Sequence, residues 1–338
     1  MQYNNKLIIN RLTALWALNE CGIGGFMHAF SSPFTGIIVG GVSILLITLI
    51  ASYAKNLRST LIKALIIVLL VKLSVSPHSP LPAYLAVSFQ GILGIILFSL
   101  LPVNRVTIVL LGVLTYLESA LQKVIVLTII YGQSLWNAID SYGAWISTKF
   151  NSLALNISSK HLILVYLIFY GVSGFLAGLL ILRVYKAVHS IKLPNNFNPP
   201  VLDIATDPKT KHPKKKRKLI LFWCITVVVI LLPLIFFNSN NNNNGWKTGL
   251  YVVARSLIII GTWYIILGPL TLKLLNKFLQ KRRSQYQTEL QQTLLLLPHL
   301  KSIVNYVWKE SKSLKGLNRV QYFISRSIVY SFHFKTSK

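Results

Sequence analysis

A chain of 338 residues that is 53% hydrophobic and only 12% charged is not an ordinary soluble domain, which carries about 25% charged residues. Its 35 Lys and Arg outnumber 7 Asp and Glu, giving a formal net charge of +28, yet the cations collect in every second gap between long apolar stretches, a pattern of membrane topology rather than of nucleic-acid binding. Cys21 and Cys224 form no disulfide framework or metal-spaced set, and no GxxxxGK[ST], HExxH or GxSxG motif occurs, so no catalytic constellation, cofactor or metal site is expected.

The apolar windows predict an all-α, polytopic transmembrane helical bundle of about eight spans, at 12–30, 36–54, 62–76, 83–101, 106–131, 161–182, 219–237 and 250–272. Windows near 20 residues can cross a hydrocarbon core of about 30 Å. Lys6 and Arg11 precede the first, and no small-residue cleavage site follows, so a signal peptide is not expected. The first span holds Asn19, Glu20 and His28 around the glycine-rich Cys21–Gly25 stretch, which suits a broken or re-entrant helix. With seven acidic residues in all, each carboxylate can be weighed singly. A charge at bilayer depth costs at least about 2.5 kcal/mol, so Glu20 faces either a polar contact between helices or a pocket.

The third span is short and holds Lys72. After it comes Ser-Pro-His-Ser-Pro-Leu-Pro-Ala-Tyr, residues 76–84, whose prolines stop the helix and display His78. That segment is a structural turn or the lip of a pocket, with Tyr84 behind it. Span four carries Gln90 between small residues, Gly91 and Gly94. Span five carries Glu118 and Gln122, four residues apart and therefore on one helix face, with Lys123 less well aligned. Lys72 or Lys123 could neutralise Glu118 within the membrane. Beyond span five, Trp136, Asp140, Tyr142 and Trp145 predict a short amphipathic helix at the outer interface.

Ten basic residues fill 183–218, including Lys214–Lys218, among five prolines. The segment reads as a solvated linker beside anionic lipid. The Asn run 240–244 is a low-complexity connector within the last hairpin. From Lys273 onward, apolar residues Leu290, Leu294, Leu297, Leu300, Val304 and Val307 recur at helical spacing, and Pro298 is expected to divide them between two helices. Such basic amphipathic helices either lie on an anionic membrane surface or dock in a soluble partner.

Basic segments before span one, between spans two and three, between four and five, after six and after eight share one side, so both termini are expected in the cytoplasm. The domain reading is a six-span unit over 1–182, a basic linker over 183–218, a hairpin over 219–272 and a basic tail over 273–338. The Asn- and Lys-rich usage suits a low-GC genome, and the bacterial inner membrane is the expected location, with an organelle-encoded protein as the rival.

The six-span unit resembles the substrate-capturing S component of energy-coupling-factor (ECF) vitamin transporters. The resemblance rests on size, span count, SPHSPLPAYLAVSFQGILGIILF at 76–98 and LESALQKVIVLTIIYG at 117–132. It implies a subunit that captures a small metabolite or vitamin from the outer side and works with a transmembrane T-type subunit and cytoplasmic ATPases. The ligand-binding candidates are then Asn19, Glu20, His28, His78, Tyr84, Gln90, Glu118 and Gln122. Beyond the six spans the chain departs from the family by adding a hairpin and tail. Ala254-Arg255-Ser256 is similar to a T-component coupling motif, but the topology puts it at the outer end of span eight. Partner coupling therefore falls by position to Lys281, Arg282 and Arg283. The alternative is a non-catalytic structural or assembly subunit of a larger membrane complex; an intramembrane enzyme using Glu20, His28 or His78 is the least supported of the three.

Overall fold

Apolar side chains without intervening charges favour helices wherever water is absent, because a helix satisfies its backbone within itself. The computed structural model follows that rule: among the described residues, 5–24, 35–76, 79, 81–149, 158–191 and 245–333, there are eleven α-helices and no strand. They are α1 (Asn5–Leu18), α2 (Thr35–Tyr53), α3 (Leu57–Val75), α4 (Leu81–Leu100), α5 (Arg105–Tyr131), α6 (Gln133–Lys149), α7 (Ser159–Ser190), α8 (Gly245–Thr262), α9 (Gly268–Arg283), α10 (Gln287–Glu310) and α11 (Gly316–His333). A π-turn, Asn19–Ile23, extends α1, and another, Trp263–Leu267, joins α8 to α9.

Among the described residues, four helices are long and apolar enough to cross a membrane: α2, α4, α5 and α7. They coincide with the second, fourth, fifth and sixth expected spans. α3 matches the third in position and has 19 residues, but Arg58, Lys63 and Lys72 lie along it. The described part of the first span is α1 and its π-turn, beginning earlier than expected, at Asn5. The seventh span, 219–237, lies outside the described residues. The eighth falls on α8, whose apolar part, Gly249–Thr262, is shorter than those four, followed by the π-turn and the start of α9.

The chain divides into two units. The first comprises residues 1–121, 166–204 and 271–338. Its core joins Leu12 and Trp16 of α1, Ile44, Ile47 and Ile50 of α2, and Val68 and Val71 of α3, all essentially without solvent contact. α5 and α7 come close enough that a Cβ on Gly174 would stand 2.8 Å from the Gly112 carbonyl oxygen, a small-residue approach common between helices in lipid. The outer face of α7 exposes Ile168, Phe169, Val172, Phe175, Leu176 and Leu179. α4 likewise exposes Leu85, Phe89, Ile92 and Ile96. Apolar bands of this size suit contact with acyl chains.

The C-terminal helices find their partner within the same chain. α10 buries Leu290, Leu300, Ile303 and Val307, and both α10 and α11 pack on α1. Pro298 does not divide α10, which runs unbroken from Gln287 to Glu310. Proline removes one backbone donor, and the buried apolar contacts on either side hold the helix across that gap. Arg11 of α1 donates to the Ser331 carbonyl of α11 at 2.5 Å. Lys63 pairs with Glu289 at 2.5 Å. The Asn5 amide donates to the Tyr53 carbonyl at 3.3 Å, and the Tyr53 ring stacks on His189 and meets Phe332 edge-on. The starts of α1, α3 and α10 and the ends of α2, α7 and α11 thus share one end of this unit.

The second unit comprises residues 122–165 and 205–270. α5 ends on Gly132, whose φ of +65° is the left-handed conformation of a helix C-cap. Its N–H donates to the Thr128 carbonyl at 2.8 Å. The Arg255 guanidinium lies against this glycine, and the Ser256 hydroxyl donates to the Val252 carbonyl at 2.8 Å. Ala254-Arg255-Ser256 therefore packs on the end of α5. Asp140 of α6 accepts the Ser159 N–H at the start of α7, 2.5 Å away. That bond holds its carboxyl below the usual carboxylate range.

Candidate functional site

The polar side chains of the first unit converge on one stretch of α2, residues 36–43. The π-turn after α1 sets the approach. By inserting one residue into the turn, it presents Asn19 and Glu20 together toward α2, where a regular helix would separate their faces. The Asn19 amide donates to the Val39 carbonyl at 3.0 Å and to Ser43 Oγ at 2.9 Å. The Ser43 hydroxyl in turn donates to Glu20 Oε1 at 2.6 Å. The other carboxylate oxygen, Oε2, accepts from Lys72 Nζ at 3.1 Å. Lys72 also donates to the Glu20 backbone carbonyl at 3.3 Å.

This is a buried ion pair, with the Lys72 side chain 1% and the Glu20 side chain 4% exposed. Desolvating two charges is expensive, and the pair persists because each charge has several partners. α3 delivers Lys72 one turn before its end at Val75. Tyr84, on the next helix, lies with its ring centroid 6.0 Å from Lys72 Nζ and its hydroxyl 3.4 Å from the Ser76 carbonyl.

The other side of the α2 stretch meets α4 and α5. A Cβ on Gly40 would stand 3.4 Å from Gln90 Nε2 and 3.9 Å from the Thr115 methyl. Gly41 has no room for one at all, since the Tyr116 hydroxyl would be 2.8 Å away. That hydroxyl donates to the Ile37 carbonyl at 2.5 Å. Gly36 lies equally close to Ser119. Gly36, Gly40 and Gly41 thus let α4 and α5 close on α2.

Four oxygens in this region have no hydrogen-bond partner among the described residues: Asn19 Oδ1, Gln90 Oε1, Thr115 Oγ1 and Glu118 Oε2. Asn19, Gln90 and Thr115 are nearly or wholly removed from solvent. Buried acceptors are paired in the great majority of proteins, which makes these four candidates for contact with a ligand. Together they could receive a ligand rich in N–H or O–H donors, or a cation.

Of the sequence candidates, the structure therefore brings Asn19, Glu20, Tyr84, Gln90 and Glu118 into one unit. Gln122 is half-buried one turn beyond Glu118, in the second unit. His28 and His78 lie outside the described residues. Lys281, Arg282 and Arg283 are exposed in the last turn of α9, where Arg282 donates to Gln285. Lys72 serves Glu20, not Glu118. Sequence reasoning missed Ser43, Thr115 and Tyr116. A hydroxyl in an apolar helix commonly bonds to its own backbone, so these carry little signal; their proximity to Gly36, Gly40 and Gly41 across helices was the missing information. Among the described residues no group of three His, Cys, Asp or Glu could hold a metal ion.

Comparison with protein-family models, with curated proteins and with solved structures finds no match to this chain.

Proposed function

We propose that this chain is the substrate-binding membrane subunit of a transporter and that α1 to α5 hold a small, donor-rich metabolite. The observation that carries this reading is the set of buried oxygens without partners on α1, α4 and α5, Asn19 Oδ1 next to the Glu20–Lys72 pair and Gln90 Oε1 and Thr115 Oγ1 around Gly40, with Glu118 Oε2 one turn further along α5. A purely structural polar core would satisfy its own members. Acceptors left over inside an apolar bundle suit a guest that supplies the donors.

The location of the site supports entry from the side with few cations. Lys72, Ser76 and Tyr84 lie toward the junction of α3 and α4, far along α3 from Lys63 and the crowded basic end. Under the charge-bias rule the basic end faces the cytoplasm. The site then opens outward, as in the ECF S components that residues 1–182 resemble. The membrane is a bacterial inner membrane in this reading. Exposed Lys281, Arg282 and Arg283, following the exposed apolar Leu274 and Phe278 on α9, offer the surface for a T-type subunit or ATPase.

The test is to purify the full chain in lipid nanodiscs and identify small molecules it retains by mass spectrometry. A stoichiometric polar metabolite, lost in Gln90→Leu and Glu118→Ala, is expected. Consistently empty protein, with cellular uptake unchanged in Glu20→Ala and Glu118→Ala, would overturn the proposal. The same exposed α9 surface also favours a second reading, a structural subunit of a larger membrane complex. In that case crosslinking at Lys281 captures a stoichiometric protein partner while the purified protein stays empty.

A further inference from the structure

At the end of the first unit opposite the Glu20–Lys72 pair, a groove of about 790 Å³ opens between the starts of α1 and α3 and the end of α2. Three lysines line it: Lys6 from α1, Lys55 from the α2–α3 connection and Lys63 from α3. No Asp or Glu is among its lining residues. Glu289 reaches Lys63 from α10, leaving the groove itself with an excess of positive charge.

Its neutral lining is of the same character. Asn56, Ser59 and Thr60, at the first turn of α3, contribute amide and hydroxyl groups. Asn56 precedes α3 without capping it through its side chain, and that first turn holds no acidic residue. The leading N–H groups of a helix are partial positive charges that stabilise anions. They add to the three ammonium groups rather than creating the site. Deeper in, Ile9, Ala64 and Ile67 make one wall apolar. The volume exceeds what a bare inorganic ion fills and suits a phosphate carried on an organic body.

We infer that this groove binds a phosphate-bearing ligand, the phosphorylated head of an anionic lipid or a soluble organic phosphate, between Lys6, Lys55 and Lys63. Ammonium groups around a pocket between membrane helices recognise phosphorylated heads through charge and hydrogen bonds. The apolar wall beneath receives the glycerol and upper acyl carbons in the lipid case. This inference does not depend on the transport reading, because it uses the opposite end of the unit and none of the same residues.

The experiment follows thermal unfolding of the full chain in phosphatidylcholine nanodiscs. One arm adds cardiolipin to the bilayer, and the other adds glycerol phosphate to the buffer. Saturable stabilisation in the first arm alone identifies a lipid head; saturable stabilisation by glycerol phosphate identifies a soluble organic phosphate. In either case Lys55→Glu should weaken the midpoint by at least about five-fold, as expected for reversing a charge at a lipid head. Glu289→Gln should leave it equal or stronger, and Lys312→Glu, on an exposed residue outside the groove, should leave it unchanged. Lys55 is exposed, so its replacement does not threaten folding. Stabilisation in neither arm, or an equal loss in Lys55→Glu and Lys312→Glu, overturns the inference.

Discussion

Glu20 and Lys72 illustrate how few residues can govern a membrane interior. Each stabilises the other's charge, and removing one leaves its partner ionised in an apolar surrounding. Lys72→Ala should therefore destabilise the protein by about 3–5 kcal/mol, whereas Glu20→Gln combined with Lys72→Met should cost less than Lys72→Ala alone. Thermal unfolding of the two variants in nanodiscs measures this. A larger loss in the double variant than in Lys72→Ala would show that the pair is not coupled. At the basic end, the Lys63 hydrogen bond, with smaller help from the nearby charges of Lys63 and Lys6, holds the Glu289 carboxyl below its ordinary value. A depressed carboxylate contributes stability above its unfolded pKa and loses it as pH falls through the folded one. The pair is partly exposed, so its contribution is small, about 0.2–1 kcal/mol. Protection of the α10 amides, taken relative to intrinsic exchange at each pH, should fall below about pH 4, and that fall should be absent in Glu289→Gln. The carboxylates stood out in the sequence because they are scarce, and Lys72 because it interrupts an apolar run. Which carboxylate Lys72 serves was not legible, since it depends on the π-turn that swings Glu20 toward α3.

Among the helices, α2, α4, α5 and α7 were readable from length and apolarity alone. α3 and α10 were harder. α3 carries cations that a hydropathy window penalises, and it is held by packing that composition does not display. α10 contains a proline that local rules treat as a break. Tertiary contact overrides the rule, because Leu290 lies before Pro298 and Leu300, Ile303 and Val307 lie after it on one buried face. Pro298 itself is exposed. Pro298→Ala should restore the missing backbone bond without opening a cavity and should stabilise α10 by up to about 3 kcal/mol. Protection of α10 amides in hydrogen exchange should rise. Unchanged protection would mean that the missing backbone bond at Pro298 carries no cost. The tail's periodicity was correctly helical, but a helical period cannot say whether the apolar face meets lipid, a partner or the chain's own first helix.

For the molecule as a whole, the distribution of cations predicts sidedness. In a background lacking Cys21 and Cys224, single cysteines at Asn56 and Lys315 should react with an impermeant maleimide only when the cytoplasmic face is accessible, and a cysteine at Ser79 only from outside. Labelling of Asn56 and Ser79 from the same side would refute the orientation. Charge bias is visible in a sequence because it needs only counting. The convergence on residues 36–43 of α2 is not, because it brings α4 and α5 against Gly36, Gly40 and Gly41 and α1 against Val39 and Ser43, neighbours known only after folding.

Arg11 and the Ser331 carbonyl it holds are 320 positions apart in the chain. During synthesis α1 emerges first and α11 among the last, so the face of α1 that α10 and α11 cover stays bare while nearly everything between is made and inserted. Closing that face is a late, non-local event, the kind that is slow and exposed to misassembly. A chain truncated before α10 would lack the Ser331 carbonyl that Arg11 holds and the apolar cover that α10 and α11 lay on α1. Completion of the tail is thus coupled to maturation of the opposite terminus, and any cellular surveillance of this protein would have α1 as a natural signal of an unfinished copy.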